Sequence, residues 1–210
     1  MAAIELDHAL IAVTDLADAG RNFAERFRLV SVEGGRHPGW GTANRIVPLG
    51  NSYLELIAVV DESEAAHSAL GRWVAGCASE AGRPLGWAVR TSDLDRAARR
   101  VGVNPVEGSR VTPAGEIIRW RTVGVEQAAE YPSLPFFIER EPGMPFPGEA
   151  SMPAATLSTL EIQGCPDKLS AWLGDHSLPV RIADGSPGIT RVILTSEDGE
   201  IVIAGDPGDR

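Results

Sequence analysis

Two glutamates close two similar stretches of this chain, Tyr53-Leu54-Glu55 and Phe137-Ile138-Glu139. His8 stands in the apolar run that opens the first stretch. His37 sits among glycines, in Gly34-Gly35-Arg36-His37-Pro38-Gly39-Trp40-Gly41. An imidazole beside carboxylates can move a proton or hydrogen-bond a ligand. The competing reading is structural: a satisfied core histidine, and a glutamate at a strand end in solvent. For His37, flanking glycines would let the loop approach a ligand closely, making it a candidate proton carrier and catalytic residue together with Glu139. An exposed loop histidine is the alternative.

The two stretches belong to a repeat. Residues 6–16 run Leu-Asp-His-Ala-Leu-Ile-Ala-Val-Thr-Asp-Leu, and residues 85–94 run Leu-Gly-Trp-Ala-Val-Arg-Thr-Ser-Asp-Leu. Each is an apolar strand entering an Asp-Leu turn and an Ala/Arg-rich helix. Thr14 and Ser92 are 78 positions apart, whereas Glu55 and Glu139 are 84 apart. The difference implies an insertion in the second copy, placed in residues 124–135. Two copies of one supersecondary module usually hold a ligand between them.

Strand alternation sorts the candidate side chains. If His8 faces a cavity, so do Leu10 and Ala12, and in the second copy Gly86, Ala88 and Arg90. A cavity arginine in an acidic chain suggests a carboxylate or phosphate on the ligand, held bidentately. The other reading pairs Arg90 with Glu55 or Glu139. Arg119 could assist. Asn44, Trp40, Trp87 and Phe137 are expected around the ligand, the aromatic residues as flat walls.

The elements that must position these groups follow from periodicity and turn residues. The first module, about 4–60, reads β-α-β-β-β: a strand from Ile4, an N-cap at Asp15 with a helix to Phe27, a strand at 30–33, the Gly-rich loop at 34–41, and strands at 44–49 and 52–60. A connecting helix spans 63–79, with a break expected at Gly71. The second module, about 85–141, repeats the order. Pro142, Pro145, Pro147 and Pro153 mark residues 142–153 as a linker. A third, degenerate β-α-β-β module fills 154–205. The expected fold is α+β, with the paired modules forming a cup-shaped mixed sheet and the third module beside it.

Composition narrows the function classes. The 210 residues are 43% hydrophobic and 23% charged, with a net charge of −10. That charge argues against a nucleic-acid surface and against a polybasic membrane anchor. No apolar run reaches the ~18–20 residues needed to cross a bilayer, and the start lacks the pattern of a secretory signal. Cys77 and Cys165 lie in different modules and are read as free thiols. The expectation is a cytoplasmic protein with a small-molecule partner, without nucleic acid or membrane, and with homodimerisation as an option.

Paired β-α-β-β-β modules with a His on the first strand and a Glu on the closing strand resemble the vicinal-oxygen-chelate superfamily. It includes glyoxalase I, extradiol dioxygenases, epimerases and the bleomycin- and fosfomycin-resistance proteins. Residues 35–44 with Tyr53-Leu54-Glu55-Leu56, Gly86-Trp87-Ala88-Val89-Arg90 and Pro135-Phe136-Phe137-Ile138-Glu139 are similar to its glyoxalase-like domain branch, over about residues 4–141. The resemblance implies a divalent metal held by a His and a Glu from each copy. His8, Glu55 and Glu139 match three of these positions, and the fourth falls on Gly86, which has no ligand atom. Three such ligands would suit Mn, Fe, Ni or Zn. Two functions stay open. One is a metal-assisted lyase, isomerase or oxygenase acting on a small oxygenated, anionic metabolite. The other is a metal-free protein that binds or sequesters a small molecule.

Overall fold

The computed structural model describes residues 4–149, 152–174 and 176–205. The first module comprises β1 (Ile4–Ala12), α1 (Leu16–Phe27), β2 (Val32–His37), β3 (Thr42–Pro48) and β4 (Tyr53–Val59). Two short helices, α2 (Glu62–Ala66) and α3 (Ala69–Cys77), lead to the second module: β5 (Arg83–Thr91), α4 (Leu94–Val101), β6 (Val106–Val111), β7 (Ile117–Val123), α5 (Val125–Glu130) and β8 (Phe136–Arg140). The third module holds β9 (Ala155–Gln163), α6 (Pro166–Leu173), β10 (Val180–Ala183), β11 (Gly188–Ser196) and β12 (Gly199–Ala204).

The paired modules close into an eight-stranded barrel of order β1-β4-β3-β2-β6-β7-β8-β5. Each module contributes one parallel pair, β1 with β4 and β5 with β8. Antiparallel β1 and β5 join the modules along most of their length, whereas β2 and β6 meet only at Arg36 and Val111. The helix after each opening strand starts alike. Asp15 Oδ1 accepts from Asp18 N at 2.8 Å, and Asp93 Oδ1 accepts from Arg96 N at 3.0 Å. A carboxylate there satisfies one of the free N–H groups of the first turn and favours the positive helix end.

The outward faces of β1 and β5 (Ala9, Ile11, Trp87, Val89) join α1, α4 and the third module in one apolar core. The third module forms a four-stranded sheet, β10-β9-β11-β12, whose Leu160, Ile162, Val192 and Leu194 enter that same core. A second cluster fills the barrel toward Ala12 and Ile57, where α3 inserts Leu70, Trp73 and Val74. No helix among the described residues is long and apolar enough to cross a membrane.

Several boundaries differ from the sequence expectation. β2 runs through Gly34 and Gly35 to His37, so the loop shrinks to residues 38–41. A register shift between Glu33 and Gly35 absorbs the irregularity that the glycines signal. The helix between the modules breaks at His67–Ser68 rather than at Gly71, because Ser68 caps α3 through Gly71 N at 2.9 Å. The segment expected to be an inserted loop carries α5. Of the 142–153 linker, residues 150 and 151 lie outside the described residues. Within the rest of the linker, residues 146–148 pack against the barrel, whereas residues 142–145 are exposed. Gly50 N donates to Gly148 O at 2.8 Å, and Phe146 lies edge-on to Tyr53 with ring centroids 5.9 Å apart.

Candidate active site in the barrel interior

Inward-facing side chains enclose a cavity of about 40 Å³. Its polar wall begins at β1. The pairing of β1 with β5 shifts register between Leu6 and His8. Such an irregularity re-aims side chains, and Asp7 comes to bond the neighbouring His8. Asp7 Oδ1 is 2.6 Å from His8 Nδ1, and Asp7 also receives Arg140 of β8, with Nη2 at 2.7 Å. Arg140 Nη2 donates to Tyr53 Oη at 3.0 Å. Tyr53 stacks on His8, with centroids 4.6 Å apart.

Glu55 stands at the centre. Its Oε2 is 3.2 Å from His8 Nε2, close enough for the charges to attract but not aligned as a hydrogen bond. Its Oε1 accepts from Asn44 Nδ2 at 2.6 Å and lies 3.8 Å from His37 Nε2. His37 Nδ1 is 2.9 Å from Thr42 Oγ1. His37, Trp40 and Trp120 form a ring cluster with centroids 5.8–6.0 Å apart.

Burial and pairing set the charges. Desolvation opposes ionisation of Asp7, but Arg140 and His8 overcome it and hold its carboxyl far below the usual range. Burial likewise disfavours charge on His8, and its contacts with Asp7 and Glu55 win, raising its pKa. Glu55 is lowered to about 2 because His8, His37 and Asn44 outweigh its burial. His37 has no such compensation: burial pushes it down to about 4 despite the Glu55 carboxylate. These shifts favour charge on both His8 and Glu55, which face each other, and disfavour it on the neighbouring His37 imidazole. Burial raises Tyr53 well above its ordinary value, so its hydroxyl stays protonated.

The structure brings together His8, His37, Trp40, Asn44 and Glu55 from the expected residues. It does not bring in Glu139, Phe137, Trp87, Arg119 or Arg90. In β8 the inward residues are Phe136, Ile138 and Arg140. Glu139 faces outward, where it accepts from Leu94 N at the start of α4 at 3.3 Å and pairs with Arg121. Phe137 lies in the outer core near Trp172, with ring centroids 6.1 Å apart. Trp87 is also in the outer core and donates to Ser133 O at 3.2 Å. Arg119 is on the outward face of β7 with Arg121, both lining a large cleft outside the barrel. Arg90 lies at the rim of that cleft. It pairs with Glu5 and donates to Asn51 O, with its guanidinium 4.8 Å from the Phe146 ring centroid.

Strand register explains the misplacement of Glu139. In the first module Leu10 pairs with Glu55. The offset of 78 carries Leu10 to Ala88, whose partner is Phe136. Phe136, not Glu139, is therefore the counterpart of Glu55. A three-residue slip inverts facing, because strand side chains alternate. At the other expected ligand position, a Cβ on Gly86 would collide with the Trp73 ring. The second module thus offers Gly86 and Phe136 where the first offers His8 and Glu55. Among the described residues no three His, Cys, Asp or Glu side chains form a metal-ligand group. The four-ligand arrangement does not fit this barrel, and neither does the set His8, Glu55 and Glu139.

Sequence reasoning did not single out Asp7, Tyr53, Arg110, Trp120, Phe136 or Arg140 for the site. Arg140 was within reach of it, since choosing the inward face of β8 through Ala88 selects residues 136, 138 and 140. Nothing in the local sequence marks the irregularity that brings Asp7 to His8.

Fold and interior together define a paired-module barrel with a small cavity, lined mainly by apolar side chains and polar along the His8–Glu55 wall. The glyoxalase-like domain family model matches residues 6–200, and the chain belongs to that family. The match runs through the third module as well as the barrel. A hypothetical protein from Staphylococcus aureus is similar over 92% of this chain and 91% of its own, at 15% identity and a TM-score of 0.69. That likeness establishes the shared fold, third module included. Methylmalonyl-CoA epimerase from Mycobacterium tuberculosis is 25% identical over 67% of this chain and 89% of its own, with a TM-score of 0.45. The Streptomyces coelicolor epimerase, in complex with 2-nitronate-propionyl-CoA, is 20% identical over 64% and 91%, also at 0.45. No curated protein matches the chain.

Proposed function

We propose that the barrel interior is an acid–base site acting on a small oxygenated, anionic metabolite, of the isomerase or lyase kind, with no protein-held metal in the proton-transfer step. The observation that carries the reading is His37: a buried, uncharged imidazole whose Nε2 lies 3.8 Å from the Glu55 carboxylate. Neutral imidazole can accept a proton from a C–H or O–H bond beside a carbonyl. The Glu55 carboxylate then faces the cation that forms. Thr42 holds the other ring nitrogen. His8, kept protonated between Asp7 and Glu55, places a positive charge where negative charge would develop on the substrate. Arg140 fixes Asp7 and so acts through His8 as a positioning residue.

A second reading is supported by the aromatic walls, Trp40, Trp120, Tyr53 and Phe136, and by the low basicity of Glu55 and His37. In that reading the barrel binds a small molecule without transforming it.

The two are separated by proton NMR in deuterium oxide. Chelator-treated protein is incubated with a panel of 2-oxo and 2-hydroxy acids. Acid–base function predicts protein-dependent exchange of a C–H bond, reduced at least tenfold in His37→Gln. Line broadening of a ligand without exchange would favour the binding reading.

A further inference from the structure

Among the described residues, Arg110 faces the cavity with a guanidinium that makes no ion pair or hydrogen bond. Arg140 is held by Asp7, whereas among the described residues no carboxylate lies within 4 Å of the Arg110 guanidinium, its Nε lacks a hydrogen bond, and the Glu55 carboxylate attracts it only from further away. Its side chain lines the cavity, and the residue is only 9% exposed. Buried cations are normally paired, so an unpaired one inside a cavity marks a missing anion.

Another buried polar atom without a hydrogen-bond partner lines the same space, Asn44 Oδ1. The amide of Asn44 cannot be turned round, because its nitrogen donates to the Glu55 carboxylate at 2.6 Å. Oδ1 is therefore an acceptor awaiting a donor. A Cβ on Gly34 would collide with Asn44 Oδ1 and lie 3.1 Å from Arg110 Nη1. The absence of a side chain at Gly34 thus lets both groups gather over one residue.

We propose that Arg110 is the seat of a carboxylate, and that the ligand is a small carboxylic acid bearing a hydroxyl or N–H donor that reaches Asn44 Oδ1. The planar guanidinium matches a carboxylate in two parallel bonds. The space supports the size: about 40 Å³ holds about three waters, comparable to the three heavy atoms of a carboxylate. Anything longer extends past Trp120, Ile138 and Arg140, the walls this cavity shares with the outer cleft of about 1100 Å³. The inference deepens the acid–base reading and rests on the same cavity.

The test is calorimetric titration and thermal melting with glycolate, propionate and propionamide, at constant chloride. Glycolate should bind most tightly, propionate more weakly, and propionamide not at all. In Arg110→Met the carboxylate affinity should fall at least tenfold, while the ligand-free protein melts no lower than wild type because a buried unpaired charge is gone. Arg110→Lys keeps the charge without the fork and should retain part of the affinity. The proposal is overturned if the carboxylates stabilise no more than chloride, or if Arg110→Met binds them as wild type does. Arg110-dependent binding without C–H exchange would leave the carboxylate seat standing and remove the acid–base reading. Exchange of neutral ketones as readily as of acids would do the reverse.

Discussion

The two modules of the barrel share a backbone plan and divide the chemistry. The first contributes the groups that can titrate, Asp7, His8, His37 and Glu55. The second contributes to the cavity two arginines, Arg110 and Arg140, and otherwise Ile118, Trp120, Thr122, Val125, Phe136 and Ile138. What stays alike between the copies serves the fold: the capping aspartates and the apolar outward strand faces. What differs is inward-facing, where no packing rule requires symmetry. Chemistry resides in a few positions grafted on a scaffold, and here those positions are not duplicated with it.

The comparison can be broken most forcefully at Asp7, whose counterpart at the offset of 78 is Leu85. Asp7→Asn leaves Arg140 and His8 buried without their shared carboxylate. Removing one partner of a buried ion pair typically costs about 3–5 kcal/mol, and urea unfolding should show a loss in that range. A change below about 1 kcal/mol would mean that the first module's charges are not mutually dependent.

The next effect is pH dependence, which belongs to the first module because it alone supplies inward histidines. His37 is lowered to about 4 in the fold, from 6.5. Between these values the unfolded chain binds more protons, so stability rises with pH there. The contribution is complete above 6.5 and is lost as pH falls through about 4. Its size is up to about 3 kcal/mol at 1.36 kcal/mol per unit. His37→Gln should flatten the loss of stability between pH 6.5 and 4. Glu55, lowered to about 2, contributes stability above about 4.5 that is lost as pH falls toward 2. His8, raised by its carboxylates, has the opposite sense: its contribution is complete below 6.5 and is lost as pH rises through its folded value.

A smaller effect comes from copying the first module's histidine into the second. Gly86→His drives a ring into Trp73, and such overpacking typically costs about 1–3 kcal/mol. Gly86→His combined with Trp73→Ala should not restore that stability in full, since it also loses a buried indole. Elemental analysis of purified Gly86→His should show no bound transition metal, because Phe136 still occupies the position across from Ala88. The smallest effects are at the matched caps. Asp15→Ala and Asp93→Ala should each lower stability by about 1 kcal/mol and by similar amounts. A marked inequality would show that the modules are not equivalent even as scaffold.

Much of this architecture was legible in the chain. The two Asp-Leu turns and the apolar strands before them fixed the repeat, and alternation from His8 selected Leu10, Ala12, Gly86 and Ala88 for the inward face. The closing strand of the second module was harder. Matching Glu139 to Glu55 by residue type required an insertion of six, whereas strand pairing requires three, and the odd difference turned Glu139 and Phe137 outward. Arg90 followed the right parity but sits where the strand has already left the cavity. Its role as the expected anion partner falls to Arg110, whose strand carries glycine and serine and gives a weak periodic signal. Asp7 was hidden because an irregular strand register depends on the partner strand, which local sequence does not reveal.

The proline-rich segment after β8 has one further consequence. Phe146 packs on Tyr53 and stands 5.4 Å from the Arg140 guanidinium, and Pro147 lines the cavity. The same stretch of chain leads on to the third module. A protein cut after Glu141 would therefore not be a trimmed barrel but an unroofed one, with Tyr53 and Arg140 opened to water. The roof over the buried ionisable groups and the tether to the neighbouring sheet are thus one piece of polypeptide.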